Sequence, residues 1–178
     1  MTRLKRVRRP ALLTACVAVV LAMTTACGPR SDVTIEEYET EAEQIADRLM
    51  VTIEDVERYQ DDIIASQSEF VDDVGHDQED HPWQYWHWTG GIELAPDATI
   101  TPEQAADRIA AVLEDEGWTA REPDLNEMGG EYAYDLPGGQ DGDAWYVGIG
   151  FARRDVPAPQ NVSITIVSPS TDRTASDS

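Results

Sequence analysis

Residues 144–153 constrain the fold more than any other stretch, because their side chains alternate between two kinds. The large apolar members are Trp145, Val147, Ile149 and Phe151, and between them lie Ala144, Tyr146, Gly148, Gly150 and Ala152. Successive side chains of a strand point to opposite faces of a sheet. The pattern therefore predicts a β-strand with one face buried under another layer and one face of small or polar groups.

Three other stretches predict strands that complete this sheet. Residues 131–136 and 161–167 alternate in the same way, and turn-forming Gly and Pro residues separate them from the 144–153 strand. Their apolar sides are Tyr132, Tyr134, Leu136, Val162, Ile164 and Ile166. Residues 83–94 are rich in aromatic side chains, which favour strands. We therefore expect an antiparallel meander of three strands near the end of the chain and one earlier strand.

Helical patterns account for the rest of the predicted domain. From Ile35 to Ile63 apolar residues recur at steps of three and four, which predicts one long helix or two helices with a break near Val51. A further helix is predicted from Thr101 to a stop at Gly117. The predicted fold class is α+β, with one or two long N-terminal helices and this second helix packed on one face of a mostly antiparallel sheet. The sheet has about four strands, and the order is α-β-α-β-β-β.

The face of the sheet turned away from the helices is a candidate binding surface. Two glycines inside one strand leave backbone uncovered there, and the next strand adds two hydroxyl groups. One of the two faces of the strand at 83–94 would add aromatic side chains. The predicted ligand face consists of Trp86, Trp88, Tyr146, Gly148, Gly150, Ser163 and Thr165. One alternative interpretation is that the aromatic side chains only cover the glycines and so repair a weak strand. Another is that the tail or the long helix of this chain fills the face.

The first 26 residues have the three parts of a bacterial secretion signal. A segment with five basic residues precedes the uncharged apolar residues 11–23, and small residues follow as far as Cys27. The apolar segment is shorter than the about 20 residues that span a bilayer. The small residues before Cys27 resemble a lipoprotein signal, after which the cysteine becomes the lipid-bearing first residue, although Thr24 stands where such signals usually have Leu. Secretion without a lipid is the alternative, and both the Sec and twin-arginine export routes stay open.

The domain boundaries follow from this signal and from composition. We expect a signal peptide over 1–26, a lipidated tether over 27–34, a single domain over 35–168 and a disordered polar tail over 169–178. Only one other cysteine, Cys16, exists, and it lies in the signal. The processed chain therefore cannot form an internal disulfide, and packing must supply its stability.

The chain is strongly acidic, with a formal net charge of −22. Five of its 13 basic residues lie in the signal, so signal removal leaves eight basic against 35 acidic residues, a net charge of −27. Such a surface repels phosphate groups and excludes nucleic-acid binding, whereas it attracts cations. Because the acids are spread along the whole chain, a solvated surface is the favoured interpretation, and a divalent-cation site is the alternative.

The weak candidate ligands for such a cation are His76, Asp77, Asp80 and His81. Imidazole and carboxylate groups together can hold a transition metal, but this spacing matches no known metal motif. No cofactor is predicted beyond a covalent lipid at Cys27. No Gly-x-Ser-x-Gly setting for a nucleophile occurs, and an acid–base carboxylate pair cannot be located among so many acids. The sequence therefore favours a non-enzymatic binding module over an undetected metal-dependent hydrolase.

Several of these features occur together in one known kind of protein. The lipidation signal, the acidic helix, Thr101–Ala105 leading to Gly117 and Trp118, and the aromatic meander resemble small actinobacterial lipoproteins of the mycobacterial LppA kind. The resemblance implies a lipid-anchored protein on the outer face of the cytoplasmic membrane. The predicted ligand face, with its aromatic side chains and hydroxyl groups, suits an envelope glycan, peptide or protein as partner. That family has no assigned reaction, so it supplies no catalytic residues for this chain.

Overall fold

The computed structural model describes residues 33–59, 63–70, 83–137, 144–152 and 160–172. These residues form two helices and one sheet of eight strands, which confirms the α+β class and the antiparallel sheet. The helices are α1, Ile35–Val51, and α2, Pro102–Asp115. The strands are β1, Ile63–Phe70; β2, Trp83–Leu94; β3, Thr119–Ala120; β4, Asp124–Asn126; β5, Gly129–Pro137; β6, Ala144–Ala152; β7, Gln160–Val167; and β8, Thr171–Asp172.

The strand order across the sheet is β1-β2-β7-β6-β5-β3. Strand β4 pairs with β5 beside β3, and β8 pairs with β2 beside β7. Strands β5, β6 and β7 are therefore the predicted meander, and β7 pairs with the earlier aromatic strand β2. Every pairing is antiparallel. The meander and β2 form the centre of the sheet, with β1 on one side.

Both helices pack on the same face of the sheet, which we call the covered face. The alternating apolar residues of β6 and β7 lie there, and Val147, Ile149 and Ile164 are fully buried. Tyr38 of α1 meets Trp145 edge-on, with ring centroids 5.5 Å apart. Burial of this large apolar area is the main source of stability for the described domain, since apolar burial contributes roughly 25 cal/mol per Å².

Helix α2 begins and ends where its sequence signals predict. The side chain of Thr101 accepts a hydrogen bond from the backbone N–H of Gln104, and the backbone N–H of Thr101 donates one to the side-chain oxygen of Gln104. Pro102 occupies the first turn, where it loses no helical hydrogen bond. Gly117 has a φ of 87°, a left-handed conformation that suits glycine at a helix end.

The first helix is shorter than predicted. It ends at Val51, a turn follows, and Ile63 already belongs to β1. The predicted long helix or second N-terminal helix is therefore wrong. The β-branched run from Val51 to Ile53 weakens the helix, and Ile53 and Val56 are buried from the turn instead. In the part of the chain with described coordinates, neither helix has the length and apolarity to cross a bilayer.

Four strands, β1, β3, β4 and β8, were not predicted. Three of them have only two or three residues, too few for a pattern of alternation. Strand β8 also corrects the predicted tail. Thr171 is fully buried, pairs with Gln84 and donates a hydrogen bond to the carbonyl oxygen of Val33, so residues 169–172 belong to the fold. Residues 173–178 of that predicted tail lie outside the described residues.

Candidate functional site

The second face of the sheet, which we call the open face, carries no helix among the described residues. Cross-strand pairing brings five of the predicted ligand-face residues together on it. Gly148 is paired with Thr165, and Gly150 is paired with Ser163 in the neighbouring row. Tyr146 shares this side of β6. A hydroxyl-bearing strand thus lies directly beside a glycine-containing one, as alternation in the two strands requires.

The other two predicted ligand-face residues lie on the covered face. Trp88 is only 4% exposed and pairs with Ile166, and Trp86 packs against the same core. Their assignment to the ligand face is therefore corrected. The indole N–H of Trp86 is buried and has no hydrogen-bond partner among the described residues. The open face of β2 carries the opposite set of side chains, Trp83, Tyr85, His87 and Thr89.

The two glycines of β6 have different surroundings. A Cβ atom at Gly148 would lie 2.9 Å from the hydroxyl of Tyr146, so this tyrosine folds over Gly148 as the alternative interpretation expects. A Cβ atom at Gly150 would meet only the hydroxyl oxygen of Ser163, at 2.7 Å. No aromatic side chain covers Gly150 within the described part of the chain. The backbone at Gly150 is therefore left accessible from the open face.

An open pocket of about 370 Å³ lies over this uncovered backbone, and we call it the Gly150 pocket. Its floor includes Gly129, Gly150 and Ala152, and the exposed side chain of Met128 borders it. Five polar side chains surround the floor, namely Asp124, Asn126, Glu131, Asn161 and Ser163. A volume above 300 Å³ with convergent polar groups is typical of small-ligand sites.

Two acidic residues of neighbouring strands line the edge of the Gly150 pocket. Asp124 of β4 and Glu131 of β5 are direct cross-strand partners, and like charges in that arrangement destabilise a sheet. Glu131 accepts a hydrogen bond of 2.6 Å from the hydroxyl of Tyr146. Burial and this bond to Glu131 raise the pKa of Tyr146 to about 12, so the hydroxyl keeps its proton at neutral pH. Asp124 has no side-chain partner among the described residues.

The ring of Tyr146 also contacts a cationic side chain. The guanidinium of Arg121 lies 5.0 Å from the centre of the tyrosine ring, in a cation–π contact. Arg121 also donates two hydrogen bonds, of 2.7 and 2.6 Å, to the carboxylate of Asp135. Tyr146 is thus held between an ion pair and Glu131. Its ring is a fixed wall beside Gly148 and is not part of the pocket lining.

A second polar cluster lies on the open face between β1 and β2. Glu69 accepts hydrogen bonds from the hydroxyl of Tyr85 at 2.6 Å and pairs with Nδ1 of His87 at 2.9 Å. Hydrogen bonding lowers the pKa of Glu69 to about 2. The bond from Tyr85 contributes most, followed by those of His87 and Gln67. The other ring nitrogen of His87 lies 3.1 Å from the hydroxyl of Thr89.

The hydroxyl of Thr89, the imidazole of His87 and the carboxylate of Glu69 lie in series. This order resembles the chain of groups that activates a nucleophile in some enzymes. Such chemistry also needs donors for an oxyanion. Thr89 lies in β2 where the strand is paired on both sides, with Ala65 and with Thr165, so its neighbouring backbone N–H groups belong to the sheet. The cluster therefore orients side chains across two strands, and we assign it no reaction.

A second cavity, of about 330 Å³, lies where α2 meets β3 and β5. Two tyrosines close it by donating hydrogen bonds to carboxylates of α2, Tyr132 to Asp107 at 3.1 Å and Tyr134 to Glu114 at 3.2 Å. Burial, followed by the nearby charge of Glu114, raises the pKa of Tyr134 to about 12. These contacts attach the helix to the sheet, which accounts for the polar groups here.

The predicted metal ligands His76, Asp77, Asp80 and His81 lie outside the described residues. Within the described ranges, no group of three or more His, Cys, Asp or Glu side chains is arranged to hold a metal ion. Cys27 and the signal also lie outside these ranges. The predictions of a cation site and of lipidation therefore stay predictions.

Comparison with known proteins adds no family to this picture. The chain matches no protein-family model, and no curated protein matches it significantly. The resemblance to lipoproteins of the LppA kind is therefore untested.

Sequence patterns did not identify the side chains that surround the Gly150 pocket. Asp124 and Asn161 come from strands that are distant along the chain, and only the pairing of β4, β5, β6 and β7 brings them together. One available signal was Gly150, because neither residue two positions away from it, on the same face of the strand, is aromatic. The sequence patterns do not predict the cluster at Glu69, because the helical pattern extends to Ile63 and no element is predicted for the rest of β1.

Proposed function

We propose that this protein is a lipid-anchored, non-enzymatic binding module of the cell envelope, which presents the open face of its sheet to an envelope component. One observation carries the proposal. The open face has a pocket of about 370 Å³ over strand backbone, whereas both helices that the structure describes lie on the covered face. A shallow surface with polar groups around an accessible floor is suited to binding.

The signal pattern supports the location. A basic segment, a short apolar segment and small residues before Cys27 are the features of a lipoprotein signal. The domain also begins close to this cysteine, since Val33 already contacts Thr171 of the sheet. Five residues lie between Cys27 and Val33, and the six steps between their Cα atoms span at most about 22 Å when fully extended. The anchored domain would therefore remain near the membrane surface, in contact with envelope material.

The test uses the native protein extracted in detergent. Its first residue should be Cys27 carrying the mass of a diacylglyceryl group, measured by mass spectrometry. The same protein should sediment with lipid-free cell-wall fragments. Thr165→Arg, at the centre of the open face, should lower the sedimented fraction at least fivefold, because a long cationic side chain blocks the surface.

Thr40→Arg is the matched control, since it makes the same change on the exposed surface of α1. It should leave sedimentation unchanged. An unmodified Cys27 on protein recovered from the medium would contradict the anchor. Equal sedimentation of wild type and Thr165→Arg would contradict binding by the open face.

A further inference from the structure

The side chains of the Gly150 pocket restrict the chemistry of its ligand. Two acidic residues, Asp124 and Glu131, line the pocket, and no Lys or Arg is among the described residues that line it. An anionic ligand would be repelled at close range by both carboxylates and by the net charge of −22 on the whole chain. The ligand is therefore neutral or cationic.

The hydrogen-bonding groups narrow the class further. Asp124 can only accept hydrogen bonds at neutral pH, whereas the amide of Asn161 both donates and accepts. Neither side chain has a partner in the described part of the structure. Asn126 already accepts from the N–H of Met128 through its carbonyl oxygen, which leaves its NH₂ group as a donor. Ser163 makes only a long contact of 3.5 Å, to the carbonyl of Gly150.

Hydrogen-bond donors and acceptors thus both line the pocket. An ammonium or guanidinium group can donate but cannot accept, so it would satisfy Asp124 and leave the amide donors of Asn126 and Asn161 unused. A hydroxyl group donates and accepts at the same atom. A ligand with several neighbouring hydroxyl groups would therefore satisfy both kinds of group at once.

The floor of the pocket includes strand backbone at Gly150, next to the hydroxyl group of Ser163. Gly150 has no Cβ, and the ordinary strand conformation there leaves the backbone accessible. At the rim, Met128 is 66% exposed, and its side chain offers an apolar contact. A flat ring with polar edges and an apolar surface fits a shallow site of this kind.

The position of the pocket relative to the start of the domain is also defined. Val33 is bonded to Thr171, which pairs with Gln84 at one end of β2. Asn161 of the pocket pairs with Glu93 near the other end of β2. Nine residues separate Gln84 from Glu93, a distance of about 30 Å along a strand. The pocket therefore lies at the end of the sheet away from the point where the chain from Cys27 enters.

From these observations we propose that the Gly150 pocket binds a non-anionic saccharide, with its hydroxyl groups paired to Asp124, Asn126 and Asn161, at the end of the domain remote from the lipid. The assignment rests on the proposed anchoring and on the open face as the binding surface. It specifies the ligand class and the part of that face which binds it.

The experiment measures binding of the purified full protein to immobilised neutral, amino and sulfated oligosaccharides. We expect neutral or amino oligosaccharides to bind and sulfated ones not to bind. Gly150→Gln, which places a side chain over the floor, and Asn161→Leu, which removes the amide, should each weaken binding at least tenfold. Thermal unfolding of each variant establishes that it is folded. If one variant is unfolded, its loss of binding is disregarded and the other variant decides the test.

Ala144→Gln is the matched control, because it adds the same side chain on the same face of β6 at the opposite end of the strand. It should bind as the wild type does. Lack of binding to every neutral and amino oligosaccharide would overturn the assignment, as would equal binding by Gly150→Gln. Calcium chloride alone, titrated into the protein in a calorimeter, should not give a saturable heat of binding. The signal to look for is a saturable heat that Asp124→Asn abolishes. Such a signal would overturn the saccharide in favour of a cation.

These outcomes are separable from the failure of the proposed function. Oligosaccharide binding that Thr165→Arg removes and Gly150→Gln leaves unchanged would overturn the pocket assignment while the open face stood as the binding surface. Sedimentation with cell-wall fragments without binding to any oligosaccharide would have the same meaning. If the wild-type protein neither sediments with cell-wall fragments nor binds any oligosaccharide, both proposals are overturned.

Discussion

The two faces of the same sheet differ in what their side chains do, although they share every strand. On the covered face, Trp145, Val147 and Ile149 of β6 are nearly or fully buried under the helices. On the open face of the same strand, Tyr146 is held by an ion pair and a carboxylate, and Gly150 is left uncovered. The covered face stabilises the fold by apolar burial, whereas the open face contributes polar contacts of small net free energy. The open face can therefore carry a binding site without loss of the core.

The largest expected difference between the faces comes from two neighbouring residues of β7. Ile164 is fully buried on the covered face, and Thr165 is on the open face. Ile164→Ala should lower the free energy of unfolding by about 2–5 kcal/mol, because it removes buried apolar atoms and leaves a cavity. Thr165→Ala should lower it by less than about 1 kcal/mol, the scale of strand propensity. Urea denaturation of both variants measures the difference, and equal losses would show that the open face is also core.

A comparison of two glycines of the open face sharpens this distinction. A Cβ atom at Gly91 would lie 2.3 Å from the carbonyl oxygen of Val162, a backbone atom that cannot turn away. Gly91→Ala should therefore destabilise the protein by about 1–3 kcal/mol. At Gly150 the contact is with the hydroxyl of Ser163, which can rotate. Gly150→Ala should leave stability unchanged or raise it by up to about 1 kcal/mol, since alanine loses less backbone entropy on folding.

Thermal unfolding of the two alanine variants provides the measurement for these glycines. Destabilisation of Gly150→Ala as large as that of Gly91→Ala would mean that Gly150 is required by close packing. The uncovered floor of the Gly150 pocket would then not exist.

The smallest expected effect concerns the polar cluster of the open face. Its hydrogen bonds lower the pKa of Glu69 from an ordinary value of 4.5 to about 2 in the folded protein. Because the pKa of Glu69 is lower in the folded than in the unfolded protein, the ionised carboxylate stabilises the fold at pH values above about 4.5. This stabilisation is lost as the pH falls from about 4.5 to 2. Glu69 is 32% exposed, so solvent screening reduces the contribution to about 1 kcal/mol.

Glu69→Gln should therefore lower stability by about 1 kcal/mol at pH 7, and the difference from wild type should vanish near pH 2, as measured by urea denaturation at several pH values. Glu122→Gln, a change at an exposed position outside the strands, is the control and should show no difference at any pH. A constant difference between wild type and Glu69→Gln across the pH range would contradict the ionic role of the cluster.

Local patterns predicted much of the fold and only part of the candidate site. The alternation around Ile149 and the caps of α2 at Thr101 and Gly117 were correct, because each depends on residues that are close along the chain. The helix predicted beyond Val51 failed, since its apolar spacing continues into the buried turn and β1. The face carrying Trp88 was also wrongly assigned. Both faces of that strand have aromatic side chains, so the alternation could not determine which one meets the helices.

The sequence by itself determined that one side of the meander must be buried, because only one side has a continuous set of large apolar residues. It also determined the acidic charge and the signal pattern that ends at Cys27. The tertiary structure decided that Trp88 points into the core and that Glu69 meets His87. It also decided that Asp124 and Asn161 lie around Gly150. These outcomes depend on strand register between distant segments, and hydrogen bonding between strands, unlike local propensity, is not encoded in any short stretch of the chain.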